Sequence, residues 1–161
     1  ITPNTLCEID FVTATGNTAA RGGGLSLQGA VGAINNTIVC GNTATANNNV
    51  FGAIPTPGGA HNLIDQDAKL GALADNGGPT PTHALLANSP AINGGVAGTA
   101  THDQRGVPRD QGNAPDIGAY EVVFIAYVDD DELVEVTPSS IRVRKRHLTE
   151  SERKLAAKRQ R

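Results

Sequence analysis

The 161 residues include 19 Gly and 13 Asn but only five aromatics, with a net charge of −3. Few rings and many small or β-branched residues suit stacked short strands better than packed helices. No apolar run approaches the roughly 20 residues that a membrane-spanning helix requires.

The chain opens at Ile1, without Met and without a signal-peptide apolar core, which predicts a fragment or a processed product. Phe11-Val12-Thr13-Ala14-Thr15 is β-prone and runs into Gly16-Asn17-Thr18-Ala19-Ala20. Ile34-Asn35-Asn36-Thr37-Ile38-Val39 runs likewise into Gly41-Asn42-Thr43-Ala44-Thr45, so the two turns recur 25 residues apart. A period of this size with short strands and Gly/Asn turns predicts a solenoid, because one coil cannot bury its inward apolar row but a stack can. Asn17 and Asn42 are expected at equivalent turns, where Asn tolerates a left-handed backbone and can bond its counterpart in the next coil. About 25 residues suit three short strands, the coil of a right-handed parallel β-helix. Two copies are fewer than a stable solenoid needs, so further coils are expected before Ile1. Cys7 and Cys40 form no CxxC pair and read as small buried hydrophobes, with a disulfide open if the compartment is oxidising.

After Phe51 the repeat gives way to loop chemistry, Pro55-Thr56-Pro57-Gly58-Gly59 and Asn76-Gly77-Gly78-Pro79. The last coil of a solenoid exposes apolar side chains and strand edges, so residues 60–121 read as its cover. Within them, Leu70-Gly71-Ala72-Leu73-Ala74-Asp75-Asn76-Gly77-Gly78-Pro79-Thr80-Pro81-Thr82-His83 is followed in order by three motifs. These are Asn88-Ser89-Pro90-Ala91-Ile92-Asn93-Gly94-Gly95, Asp103-Gln104-Arg105-Gly106 and Asp116-Ile117-Gly118-Ala119-Tyr120-Glu121. Together they resemble the choice-of-anchor Q region that ends the parallel β-helix of many bacterial surface proteins. The resemblance implies an extracellular or cell-surface location, an anchor or sorting signal after Glu121, and no single biochemical activity.

Charge divides the chain. Residues 1–128 carry four basic groups (Arg21, Lys69, Arg105, Arg109) against nine acids, whereas residues 129–161 carry nine bases against seven acids. Such a break marks a change of module. The acidic Asp129-Asp130-Asp131-Glu132 leads through Leu133-Val134-Glu135-Val136 and a Thr137-Pro138-Ser139-Ser140 turn to a second strand, Ile141-Arg142-Val143-Arg144. Alternation sets Arg142, Arg144 and Arg146 on one face and Ile141, Val143 and Lys145 on the other. Thr149 and Glu152 form a capping box for a basic helix from Glu150 to about Arg159. In place of the expected anchor, residues 124–159 thus closely resemble the extreme C-terminus of the ribosome-associated translational GTPase family TypA/BipA. The resemblance implies docking on the ribosome, but the chain lacks a Gly-x4-Gly-Lys-Ser/Thr loop, so no nucleotide binding is carried over. Arg142, Arg144, Lys145, Arg146, Arg153 and Lys154 are the candidate RNA-backbone contacts. The competing expectation is that the acidic run pairs internally with the basic stretch.

Catalytic chemistry finds little support. Asp103, Asp110 and Asp116 surround Arg105 and Arg109, and paired acids could serve as glycosidase acid and base. Their setting among Gly and Pro of the cover favours Arg–Asp pairs and turn caps. Asp65-Gln66-Asp67 and Asp129–Asp131 lack the Gly and distal Glu of an EF-hand, and His61, His83, His102 and His147 lack zinc spacing. Ser26, Ser89, Ser139, Ser140 and Ser151 have no nucleophile-elbow context.

The sequence therefore predicts a mainly β chain: β-helix coils over residues 1–59, their closing segment over 60–121, and a hairpin-helix basic tail over 122–161. The leading functional reading is a non-enzymatic structural or adhesion-type surface module, without cofactor or metal, facing an unidentified surface ligand or a host or matrix component. The alternative is a cytoplasmic ribosome- or RNA-binding fragment of a TypA/BipA-like protein. A weaker alternative is a fragment of a polysaccharide-active β-helix enzyme. Gene fusion, an assembly artefact and engineering would each join such unlike parts.

Overall fold

The computed structural model describes residues 7–28, 31–54, 61–109, 111–123, 132–137 and 140–145. The chain divides into two compact units, Ile1–Val123 and Phe124–Arg161. The described residues are mainly β, as expected, and include no helix. Their sheets have only two or three strands, and among the described residues they close into neither a barrel nor a continuous solenoid.

In the first unit, β1 (Cys7–Asp10), β2 (Thr13–Thr15), β3 (Thr18–Arg21) and β4 (Leu25–Ser26) recur as β5 (Val31–Asn35), β6 (Ile38–Cys40), β7 (Thr43–Ala46) and β8 (Val50–Phe51). Each strand pairs in parallel with its successor: Ile9 with Ile34, Thr13 with Ile38, Thr18 with Thr43 and Leu25 with Val50. Every one of these partners lies 25 residues further on, and a bulge between Cys7 and Glu8 breaks the register only at the start. The corners between strands recur on the same period. Gly16 and Gly41 have φ of 69° and 66°, and Gly22 and Asn47 have φ of 56° and 57°. Phe11, Asn36 and His61 share φ of 55°, 45° and 67° although they have nothing chemical in common. A left-handed Phe is unusual, so the surrounding structure must impose this corner.

Side chains fasten one pass of chain to the next. The Asn17 amide nitrogen and backbone N–H both donate to Asn42 Oδ1, each at 3.0 Å. Val12 N donates to Thr37 Oγ1 at 3.4 Å, and Thr37 N donates to Asn62 Oδ1 at 2.8 Å. The same recurrence reaches residues 62–64. β9 (Leu63–Ile64) joins β6 in parallel, Ile38 opposite Leu63 and Val39 opposite Ile64.

Beyond β9, β10 (Leu70–Ala74) and β11 (Thr82–Leu85) form an antiparallel pair. Asn76 steadies their connection by donating to Thr82 O at 2.8 Å. The core joins Ile38, Leu63, Ala68, Leu85, Ala91 and Ile117, with Cys40, Leu70, Ile92, Tyr120 and Val122 packed on it. Each fully buried aliphatic side chain here contributes about 1.5–3 kcal/mol. The closing segment is bonded directly onto the strand region: Gly118 N to Asn36 O at 2.7 Å, Ala119 N to Thr13 Oγ1 at 3.0 Å, and Val96 N to Asn36 Oδ1 at 2.8 Å. Gly118 has φ of 95°, and a Cβ there would come within 2.5 Å of Thr13 Oγ1 and 2.8 Å of Ile38 Cδ1. Cys7 departs from expectation. It is exposed at a strand start, and both cysteines are free thiols.

In the second unit, β12 (Glu132–Thr137) and β13 (Ser140–Lys145) pair antiparallel, with Glu132 opposite Lys145, Glu135 opposite Arg142 and Thr137 opposite Ser140. Each strand is two residues longer than its apolar alternation alone predicts. The expected helix from Glu150 lies outside the described residues.

Candidate functional site: a buried charge cluster and a basic hairpin

The acids and arginines singled out in the closing segment do converge, and they converge inward. Asp103, Arg109, Asp116 and Glu121 are all buried, the last two at 0% and 1% exposure. The tight turn 103–107 is wrapped on one carboxylate: Asp103 Oδ1 accepts from Arg105 N at 2.8 Å and Val107 N at 2.9 Å. Its Oδ2 accepts from Glu121 N at 2.9 Å and meets the Arg105 guanidinium at 2.7 Å. Arg105 lies over the Tyr120 ring at 3.6 Å and donates to Glu121 O. Asp116 accepts from Asn93 N and Val122 N, both at 2.7 Å. Glu121 accepts from Asp116 N at 2.9 Å and faces Arg109 Nη1 at 3.6 Å. Arg109 spends its other donors on carbonyls, Gly118 O at 3.0 Å, His102 O at 3.3 Å and Asp116 O at 3.4 Å, and rests over Phe11 at 3.9 Å.

Burial pushes the Glu121 carboxyl up to about 7 and raises Asp116 as well. For Asp103, burial also acts to raise the value, but hydrogen bonds from Glu121 N, Val107 N and Arg105 outweigh it and hold the carboxyl below its ordinary range. Burial lowers Arg109, against the pull of the surrounding carboxylates. These carboxylates are engaged by backbone N–H groups and guanidinium groups, and among the described residues no buried side-chain N or O lacks a partner. Such an arrangement clasps loops together; it presents no free acid–base pair to a sugar. Glu121, at the end of the Asp-Ile-Gly-Ala-Tyr-Glu string, joins the cluster although its sequence neighbours carry no sign of a charge partner. Asp110 lies outside the described residues.

The other candidates lie apart. Asp65 accepts from Asn49 Nδ2 at 2.5 Å, and Asp67 caps its own turn by accepting from Lys69 N at 2.8 Å. His61 Nδ1 lies 2.7 Å from Gly94 O, and His83 Nδ1 in β11 lies 2.8 Å from Gly71 O in β10. Among the described residues no three His, Cys, Asp or Glu side chains group as metal ligands, and no helix is long and apolar enough to cross a membrane. A cavity of about 520 Å³ opens between Phe11, Gly98, His102, Arg109 and Pro115.

In the tail, the register places Arg142 opposite Glu135, Arg144 opposite Leu133 and Lys145 opposite Glu132. Basic positions 142 and 144 stand two residues apart along β13. Arg146, Arg153 and Lys154, like Asp129–Asp131 and His147, lie outside the described residues.

Residues 120–150 match the TypA/BipA C-terminal domain. Over 32 residues the chain is 69% identical to the large ribosomal subunit assembly factor BipA of Salmonella typhimurium, which covers 20% of this chain and 5% of that protein. The same protein from Haemophilus influenzae matches at 69% over 32 residues, and that of Buchnera aphidicola at 64% over 31. The chain thus spans about 5% of the length of these curated relatives, and the likeness belongs to the tail. No solved structure matches. The match begins four residues before Phe124, so it includes Tyr120 and Glu121, which are built into the first unit.

Proposed function

We propose that this chain contacts ribosomal RNA through its tail, as a fragment resembling the C-terminus of a TypA/BipA-like protein, and that the first unit is a non-catalytic β scaffold. The 69% identity over 32 residues to large ribosomal subunit assembly factors carries this reading. The basic strand β13, which carries Arg142, Arg144 and Lys145, supplies a chemistry suited to a phosphate backbone. Arg146, Arg153 and Lys154 complete the proposed contact. A cytoplasmic, ribosome-associated location follows from this reading, and GTP hydrolysis does not. The engagement of Asp103, Asp116 and Glu121 in internal bonds supports the absence of enzymatic activity.

A second reading rests on a separate observation. The constant 25-residue offset of the parallel ladders supports a right-handed parallel β-helix that ends in a choice-of-anchor Q-like segment, the architecture of a surface or adhesion-type module. Its ligand would be a surface, host or matrix component. Sedimentation of the full chain with purified large ribosomal subunits at low salt separates the two. The tail reading predicts co-sedimentation that is lost when Arg142, Arg144 and Arg146 are changed together to Ala. A wild-type chain that stays in the supernatant would leave the surface reading.

A further inference from the structure

Three buried carboxylates, Asp103, Asp116 and Glu121, lie with two guanidinium groups, those of half-buried Arg105 and buried Arg109. Fully ionised, the cluster carries one uncompensated negative charge, which a buried site tolerates poorly. We propose that this cluster is a proton-operated clasp, which holds residues 116–122 against the strand region while it retains one proton and loosens them when that proton leaves.

Geometry decides where the proton sits. Asp103 is the best-stabilised anion, with three backbone N–H donors and the Arg105 guanidinium at 2.7 Å. Asp116 receives two backbone N–H bonds. Glu121 receives one, and its guanidinium partner stands off at 3.6 Å, drawn away by three carbonyls. Glu121 is therefore the weakest anion of the three and the proton's site. Among the described residues, the further charged group acting on this region is Asp10, which acts on Arg109 from β1. His102 contributes its backbone carbonyl to Arg109, while its ring is bonded to Thr101.

The same segment carries the contacts that close the unit: Ile117 in the core, Gly118 N on Asn36 O, and Ala119 N on Thr13 Oγ1. A carboxyl raised to about 7 when folded, against an ordinary 4.5, binds its proton more tightly in the closed state. The stabilisation is therefore fully present below pH 4.5 and is lost as pH rises through 7. Between pH 6 and 8 this linkage raises the opening constant of the segment about tenfold.

Hydrogen exchange of the full chain, corrected for intrinsic rates, reads that constant at Gly118, Ala119 and Val122. We expect protection to fall about tenfold from pH 6 to 8 in the wild type and to stay level in Glu121→Gln, which keeps an uncharged acceptor for Asp116 N. A flat wild-type profile, or an equal fall in the variant, would overturn the proposal. If Glu121→Gln does not fold, the side-chain carboxyl carbon of Glu121 is titrated by NMR in the wild type. A midpoint near 7 supports the clasp, and one near 4.5 overturns it.

Discussion

Asn17 and Asn42 occupy equivalent places in the repeat, yet the structure gives them unequal burdens. Asn42 is buried, and its amide donates to Ala14 O at 2.9 Å, Asn49 Oδ1 at 3.0 Å and Cys40 O at 3.2 Å. Its Oδ1 accepts from both donors of Asn17. Asn42→Ala removes all five bonds and strips partners from groups on three neighbouring segments. An abandoned buried polar group costs about 1–3 kcal/mol, but Asn17 is exposed and water can replace part of its loss. The expected destabilisation is about 2–4 kcal/mol. Asn17→Ala leaves its backbone N–H bond to Asn42 in place and removes one partly exposed side-chain bond, for about 0.5–1 kcal/mol. Urea unfolding of both variants, followed by far-ultraviolet circular dichroism, measures the difference. Equal losses, or a loss below about 0.5 kcal/mol for Asn42→Ala, would refute the inter-pass bonding on which this fold description rests.

Truncation of Leu63 to Ala should cost about 2–5 kcal/mol in the same assay, since it is buried against Ile38 in the third strand of its sheet. A loss no larger than that of an exposed residue such as Leu73 would remove β9 from the core. Gly118→Ala forces a Cβ against Thr13 and Ile38 at positive φ, and should destabilise by about 2–4 kcal/mol. A neutral result would contradict the close approach of the closing segment to β2 and β6. In the tail, neutralising Asp129, Asp130, Asp131, Glu132 and Glu135 together should strengthen RNA binding if these acids compete for the basic strand. Exposed ion pairs contribute only about 0–1 kcal/mol each, so the expected gain is modest, and unchanged affinity would exclude the internal pairing.

The repeat was legible where the same residues recur and illegible where only their roles recur. Gly16-Asn17-Thr18-Ala19 and its copy announce the 25-residue step directly. His61-Asn62-Leu63-Ile64 repeats the corner, the side-chain acceptor and two apolar positions of Asn36-Thr37-Ile38-Val39 without sharing a residue, so its place in the recurrence carries no sequence signal. Phe11 at a left-handed corner carries no local signal, because its conformation is set by tertiary packing and by Arg109 stacked over its ring. Arg105, Arg109, Asp103 and Asp116 were visible as a pattern of charges. Glu121 was not, since its role depends on a chain reversal that brings it back to Asp103 and Arg109. The exposure of Cys7 likewise follows from its place at a strand start, which composition does not encode. In the tail the two strands could be read from alternation, because a hairpin is a local structure.

Whether the tail contacts RNA is decided by the salt dependence of binding to ribosomal RNA. The full chain and the variant with Arg142, Arg144 and Arg146 changed to Ala are compared by filter binding across a range of salt concentrations. Each phosphate contact contributes about 0.7–0.9 to the slope of log affinity against log salt. The account predicts measurable wild-type binding that weakens as salt rises, with a slope flatter by up to about three contacts in the variant. Equal slopes, or negligible binding by both, would contradict it.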